Sequence, residues 1–144
     1  MAVLGNPFTI NLPKGWEDQT MYTFMGPEDS GVQHILTLSI DRYAGKTGLS
    51  EYAAERRDKV LEMIPNAEVL KDEAKDFPSG TKAYEVVFKM VPADGTVIFR
   101  KMVFIIKDGN GYTFAINFSK KTIKTIGVEV DGIIDSLVPL TGKE

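Results

Sequence analysis

Hydrophobic and polar residues alternate along several short segments of the chain, a pattern typical of β-strands with one buried face. The clearest segment covers residues 32–41, where one side is apolar and the other is mixed: Leu36, Leu38 and Ile40 oppose Ile35, Thr37, Ser39 and Asp41. Further strands are predicted, each bounded by turn residues, over residues 8–12, 20–25, 67–71, 82–91, 96–107 and 112–118. The last three are joined by tight turns and predict an antiparallel meander.

The hydrophobic period changes to that of a helix between residues 49 and 64, where one stripe contains Leu49, Ala53, Val60 and Ile64. A second helix is predicted to start near Gly127 and to end before Pro139, with residues 120–126 as a turn or a short separate helix. The pattern therefore predicts an α+β fold: an antiparallel β-sheet flanked by helices, in a single domain over residues 1–144.

Two turns have distinctive residues. The only tryptophan, Trp16, follows Pro13, Lys14 and Gly15, and we expect it to pack over the domain's edge and fix this turn. Residues 108–111, Asp-Gly-Asn-Gly, lack the further acidic ligands of a calcium loop, so they predict a hairpin turn.

Composition narrows the classes of function. The 144 residues carry a formal net charge of -3 without a basic stripe, which argues against a nucleic-acid partner. There is no cysteine, as is common in a reducing cytoplasm, and no apolar run approaches the roughly 20 residues that span a bilayer. We expect a cytoplasmic protein that does not itself insert into membranes.

The residues of common active sites are mostly missing. His34 is the only histidine, so neither a two-histidine metal site nor a catalytic triad is available, and we interpret it as an ordinary strand residue. Glu17 and Asp18 are adjacent carboxylates that we expect to be solvated. The sequence predicts a protein that is not an enzyme and has no metal or cofactor.

A binding surface is the more plausible functional feature. Arg56, Val60 and Ile64 lie four residues apart and share one side of the first helix. Two interpretations stay open: the aliphatic pair is core and Arg56 is solvated, or the stripe borders the mixed side of residues 32–41. In the second case an apolar groove with small hydroxyls would accept a hydrophobic helix.

Several segments of the chain resemble those of a known family. The resemblance rests on LPKGW at residues 12–16, a strand through Phe24, TLSIDR at 37–42, EYAAERRDKVLEMIP at 51–65 and SLVP at 136–139. Together these resemble the DcrB-like domain family and, within it, the Eag chaperones of bacterial type VI secretion. The similarity is spread over about residues 8–139 and has no single diagnostic motif.

The resemblance implies a PsbP-like architecture and a homodimer whose concave sheet holds the hydrophobic N-terminal segment of a secreted effector before export. Carried over by position, the groove would contain Met21, Thr23, Ile35, Thr37, Ser39, Asp41, Arg56, Val60, Ile64 and Ile98. Two alternatives remain: an envelope lipoprotein domain of DcrB type, or an immunity or regulatory module that binds a folded partner through the edge at residues 17–25.

Overall fold

The structure, a computed structural model, describes residues 10–29, 32–42, 44–45, 47–64, 66–91 and 95–138. In these residues six strands and two helices follow one another as β1 (Met21–Asp29), β2 (Val32–Asp41), α1 (Leu49–Met63), β3 (Glu68–Asp76), β4 (Lys82–Met90), β5 (Ile98–Lys107), β6 (Asn110–Phe118) and α2 (Ile126–Asp135). All strands join one antiparallel sheet in the order β1-β2-β6-β5-β4-β3. The predicted α+β fold is confirmed.

Most predicted elements are confirmed, and the differences have physical reasons. β3 continues to Asp76, beyond the predicted end at residue 71. It is an edge strand with mostly exposed, polar side chains, so its sequence shows no apolar alternation from which its length could be predicted. Residues 10–12 form no strand, so that part of the predicted strand at 8–12 is wrong, while residues 8 and 9 lie outside the described residues. The turn at Asp108 and Gly109 is a hairpin turn, with φ of 52° and 80°.

The two faces of the sheet are packed differently. On one face, here called the α2 face, helix α2 covers a core formed by Leu36, Val103, Ile105, Tyr112, Phe114, Ile116, Phe118, Ile126, Val130 and Ile134. On the other, the α1 face, helix α1 packs on β4 and β5 over Val86, Phe88, Met102 and Phe104. β4 and β5 are therefore buried on both faces, whereas β1 and β2 are buried mainly on one.

An ion-pair network ties α2 to the sheet. The Glu85 carboxylate is almost fully buried and contacts the Nζ atoms of Lys71 at 2.9 Å, Lys75 at 3.1 Å and Lys101 at 3.1 Å. Asp131 of α2 contacts Lys101 at 2.5 Å and Lys75 at 3.2 Å. The network joins β3, β4 and β5 to α2, and Glu85 is the carboxylate that contacts all three lysines.

The expectation for Trp16 is wrong. Its backbone N–H does close the turn by donating to the Pro13 carbonyl at 3.2 Å, and Gly15 supplies the positive φ of 98° that the turn requires. The indole, however, is 70% exposed. Backbone geometry therefore holds this turn without burial of the aromatic ring.

The N-terminal half of α1 is located by an aromatic ring lying on a glycine. Tyr52 is buried and packs edge-on to Phe104, with ring centroids 6.3 Å apart. A Cβ atom on Gly111 of β6 would lie 2.1 Å from the Tyr52 hydroxyl oxygen. Only glycine leaves room for this ring, so Gly111 sets how closely α1 approaches the sheet.

Replacing Glu85 by glutamine should destabilise the fold strongly, because three lysines would lose their shared carboxylate. Removing one partner of a buried ion pair costs about 3–5 kcal/mol of unfolding free energy. Urea denaturation measures the loss. Glu129→Gln, at an exposed position of α2, is the matched control and should change stability by less than about 0.5 kcal/mol. Equal stability of the two variants would contradict the role of Glu85.

The same carboxylate should make stability depend on acid pH. Burial alone would raise the pKa of Glu85, but Lys71, Lys101 and Lys75 outweigh it and lower the pKa from 4.5 to about 2. A lowered pKa stabilises the fold above pH 4.5, and this contribution is lost as the pH falls from 4.5 toward 2. The stability difference between wild type and Glu85→Gln should therefore be smaller at about pH 3 than at neutral pH. A difference that is constant with pH would contradict the assignment.

Gly111→Ala should displace Tyr52 and loosen α1, at a cost of about 1–3 kcal/mol typical of overpacking. The control is Gly132→Ala in α2, where a Cβ meets nothing within 4 Å. That change should leave stability unchanged or raise it by up to about 1 kcal/mol. Thermal denaturation of both variants tests the contact, and a neutral Gly111→Ala would show that Tyr52 does not locate the helix.

Candidate functional site

The part of the α1 face that α1 leaves uncovered is the candidate site. α1 packs on β4 and β5 and covers the start of β6 through Tyr52, so the same face of β1, β2 and the rest of β6 is not covered by either described helix. Large apolar side chains are exposed there: Met21 by 60%, Met25 by 74% and Ile35 by 41%. We call this surface the open face and define it by Met21, Thr23, Met25, Ile35, Thr37, Ser39, Thr113 and Asn117.

Strand register brings five of the sequence-predicted residues together. Met21 pairs with Ser39 and Thr23 with Thr37, while Ile35 pairs with Met25, so all five predicted side chains lie on one face. The exposed apolar groups are thus interleaved with small hydroxyls. The Thr37 hydroxyl is partly engaged, because it donates to the Ala115 carbonyl at 3.4 Å.

Two of the predicted residues form the border between the open face and α1. Asp41 at the end of β2 forms a salt bridge with Arg56 of α1. The Arg56 guanidinium carbon also lies 3.7 Å from the centre of the Tyr52 ring. Burial, as the largest cause, raises the pKa of the Tyr52 phenol. This ring therefore stays neutral at physiological pH, with Arg56 above its face.

The remaining predicted residues lie away from the exposed area. Val60 and Ile64 are partly buried and pack under α1 against the core cluster of Phe88 and Met102. Ile98 is half-buried at the start of β5, opposite Met90. The structure therefore places the aliphatic side of the helix stripe toward the sheet, and only Arg56 reaches the border of the open face.

Sequence reasoning missed four residues of this region. Met25 lies in register with Met21 and Thr23, so strand alternation alone could have identified it. Thr113 and Asn117 occupy the less apolar side of β6, which alternation also marks. Arg100 of β5 lies two residues after Ile98, so alternation puts it on the same side, but only the pairing of β5 with β6 shows that it lies beside the open face.

A cleft of about 430 Å³ opens where the start of β1 meets α1. Its lining includes the two carboxylates that were expected to be solvated. Glu17 is exposed, but Asp18 is half-buried and accepts hydrogen bonds from the Thr20 hydroxyl and from Arg42 at 3.1 Å. The Thr20 hydrogen bond, ahead of Arg42, lowers the pKa of Asp18, so this carboxylate stays ionised near neutral pH.

The open face, as defined above, combines apolar, hydroxyl and amide side chains. His34 lies on the opposite face and is 1% exposed, with its ring nitrogens 3.0 Å from the Pro27 carbonyl and 3.0 Å from the Thr122 hydroxyl. No group of three His, Cys, Asp or Glu among the described residues could hold a metal ion. Neither described helix is long and apolar enough to cross a membrane.

Solved structures share this architecture. The crystal structure of PA94, a protein of unknown function from Pseudomonas aeruginosa, matches with a TM-score of 0.72 at 17% identity, over 90% of each chain. The solution structure of the cyanobacterial PsbP protein from Synechocystis matches with a TM-score of 0.50 at 15% identity, over 72% of this chain and 65% of that one. At these identities the likeness concerns the fold, and it supports the predicted PsbP-like architecture.

In sequence, the chain matches a family model but no curated protein. The family model for DcrB matches residues 8–136, which include every element of the sheet and both helices. The chain therefore belongs to the DcrB family.

Proposed function

We propose that this protein is a non-enzymatic chaperone that binds the hydrophobic, transmembrane-type helices of a type VI secretion effector before export, and that the open face is its client site. The observation that carries the proposal is the exposure of Met21, Met25 and Ile35 side by side on an otherwise well-packed sheet. Clustered exposed apolar side chains of this kind mark binding sites. The resemblance to Eag chaperones supports the choice of client.

The composition of the open face fits a membrane helix better than a flat folded partner. Methionine side chains are flexible and adapt to irregular apolar surfaces, which suits a site that accepts different helix faces. The hydroxyls of Thr23 and Ser39 stand between the apolar groups and can satisfy the Ser, Thr and Gly faces through which membrane helices associate. A helix lying across three strands would bury this surface.

A single copy presents an open face only three strands wide, so a second copy would extend the surface along a client helix. We therefore include a homodimer in the proposal. A chaperone that receives an effector before export would act in the cytoplasm, without inserting into the membrane itself.

The proposal predicts that Ile35→Glu loses the client while the fold is kept. A charge at this position would be desolvated when an apolar helix docks, at a cost of several kcal/mol, and about 1.4 kcal/mol already corresponds to tenfold weaker binding. The measurement is co-purification of the tagged protein with the N-terminal segment of a type VI effector from the same organism. Circular dichroism of the same samples checks folding.

Ile133→Glu is the matched control, because Ile133 is similarly exposed, 51% against 41% for Ile35, but lies in α2 on the opposite side of the sheet. This variant should retain the client. Equal retention by both variants, or equal loss, would contradict binding at the open face. Binding of a synthetic apolar helix but of no effector segment would remove the type VI client and keep the helix-binding site.

A further inference from the structure

Among the described residues, one arginine next to the open face has no acidic partner. The chain has four arginines, and three of them form salt bridges: Arg42 with Asp18, Arg56 with Asp41, and Arg57 with Asp72. Arg100 forms none with the described residues. Arg100 is nevertheless half-buried, and its Nε atom is shielded from solvent without a hydrogen-bond partner in the part of the chain that the structure describes.

Register places this guanidinium at the edge of the client site. Arg100 lies on β5 between Phe88 of β4 and Asn117 of β6, on the same side of the sheet as Met102. Asn117 belongs to the open face and is exposed, so its side-chain amide is free to donate beside the guanidinium. Burial lowers the pKa of Arg100, but an arginine remains charged at physiological pH.

A charge that is shielded from solvent and has no partner lowers the stability of the folded protein. Leaving a buried donor unsatisfied costs stability, and the cost is greater for a charged group. A helix docked on the open face would remove further water from Arg100 and raise this cost, unless the helix itself supplies an acceptor. The guanidinium has a planar set of donors whose geometry matches a carboxylate.

We propose that Arg100 and Asn117 form an anchor for a carboxylate side chain, Asp or Glu, carried by the apolar helix that occupies the open face. The proposal rests on the proposed function and specifies the chemistry of its client. Burying an ionised acidic residue costs free energy in a bilayer, and it also costs free energy against an apolar groove. Pairing it with Arg100 compensates both buried charges and distinguishes this client from ordinary apolar helices.

The test uses two synthetic helical peptides of about 20 residues, composed of Leu, Ala and Ser, that differ only in one central Glu or Gln. The position of this residue is moved through one helical turn, since the rotation of the docked helix is not fixed in advance. Binding to the full chain is measured by fluorescence anisotropy near neutral pH. For wild type, the best Glu peptide should bind at least about tenfold more tightly than its Gln counterpart.

Arg100→Met should abolish this preference and leave the Gln peptide bound at least as tightly as before. Its denaturation midpoint should be equal to or above that of wild type, because an uncompensated charge has been removed. Lys107→Met is the control: it removes one positive charge from an exposed position of the same strand and should keep the Glu preference. Arg100→Lys, which keeps the charge without the planar donors, should retain only part of the Glu preference.

The outcomes separate the two proposals. Equal binding of Glu and Gln peptides by wild type would overturn the carboxylate anchor and leave the helix-binding function standing. Loss of the Glu preference in Lys107→Met as well would show that the preference comes from the overall charge of the protein, and it would overturn the anchor. Binding of neither peptide by wild type would overturn the proposed function and the anchor together.

Discussion

The contact between Tyr52 and Gly111 determines where α1 lies, and the position of α1 determines which part of the sheet stays open. The ring occupies the space that a side chain at position 111 of β6 would fill, and it holds the helix over β4 and β5. Arg56 then stands above the ring and pairs with Asp41 at the end of β2. The border of the open face is thus fixed by one aromatic ring, one glycine and one ion pair.

Buried charges are compensated on one face of the sheet, and among the described residues one is left uncompensated on the other. On the α2 face, the carboxylate of Glu85 is surrounded by lysines and Asp131 completes the network, so the charges compensate one another. On the α1 face, Arg100 is shielded without any acidic partner among the described residues. The buried charges of the α2 face therefore compensate one another within the chain, and the incompletely satisfied side is the one that we propose binds a client.

Sequence alone predicted the sheet, both helices and the β2 part of the open face, because alternation along β2 separates its core side from its mixed side; the family resemblance added Met21 and Thr23. Sequence alone did not predict the burial of Glu85 in β4, since a glutamate in an alternating strand is ordinarily solvent-exposed and only the fold reveals that this one is buried. Trp16 was misjudged because burial of an aromatic residue depends on what lies opposite, which local sequence does not contain. Arg100 joins the site through the pairing of β5 with β6, which local sequence does not show.

The central claim is that an apolar helix binds on the open face, and the methionines report on it directly. With ¹³C-labelled methionine methyl groups, adding a neutral apolar helical peptide should shift the NMR signals of Met21 and Met25. Met63 is 82% exposed at the end of α1, away from the open face, and should stay unchanged as an internal reference. Shifts at Met63 with none at Met21 and Met25 would contradict the account.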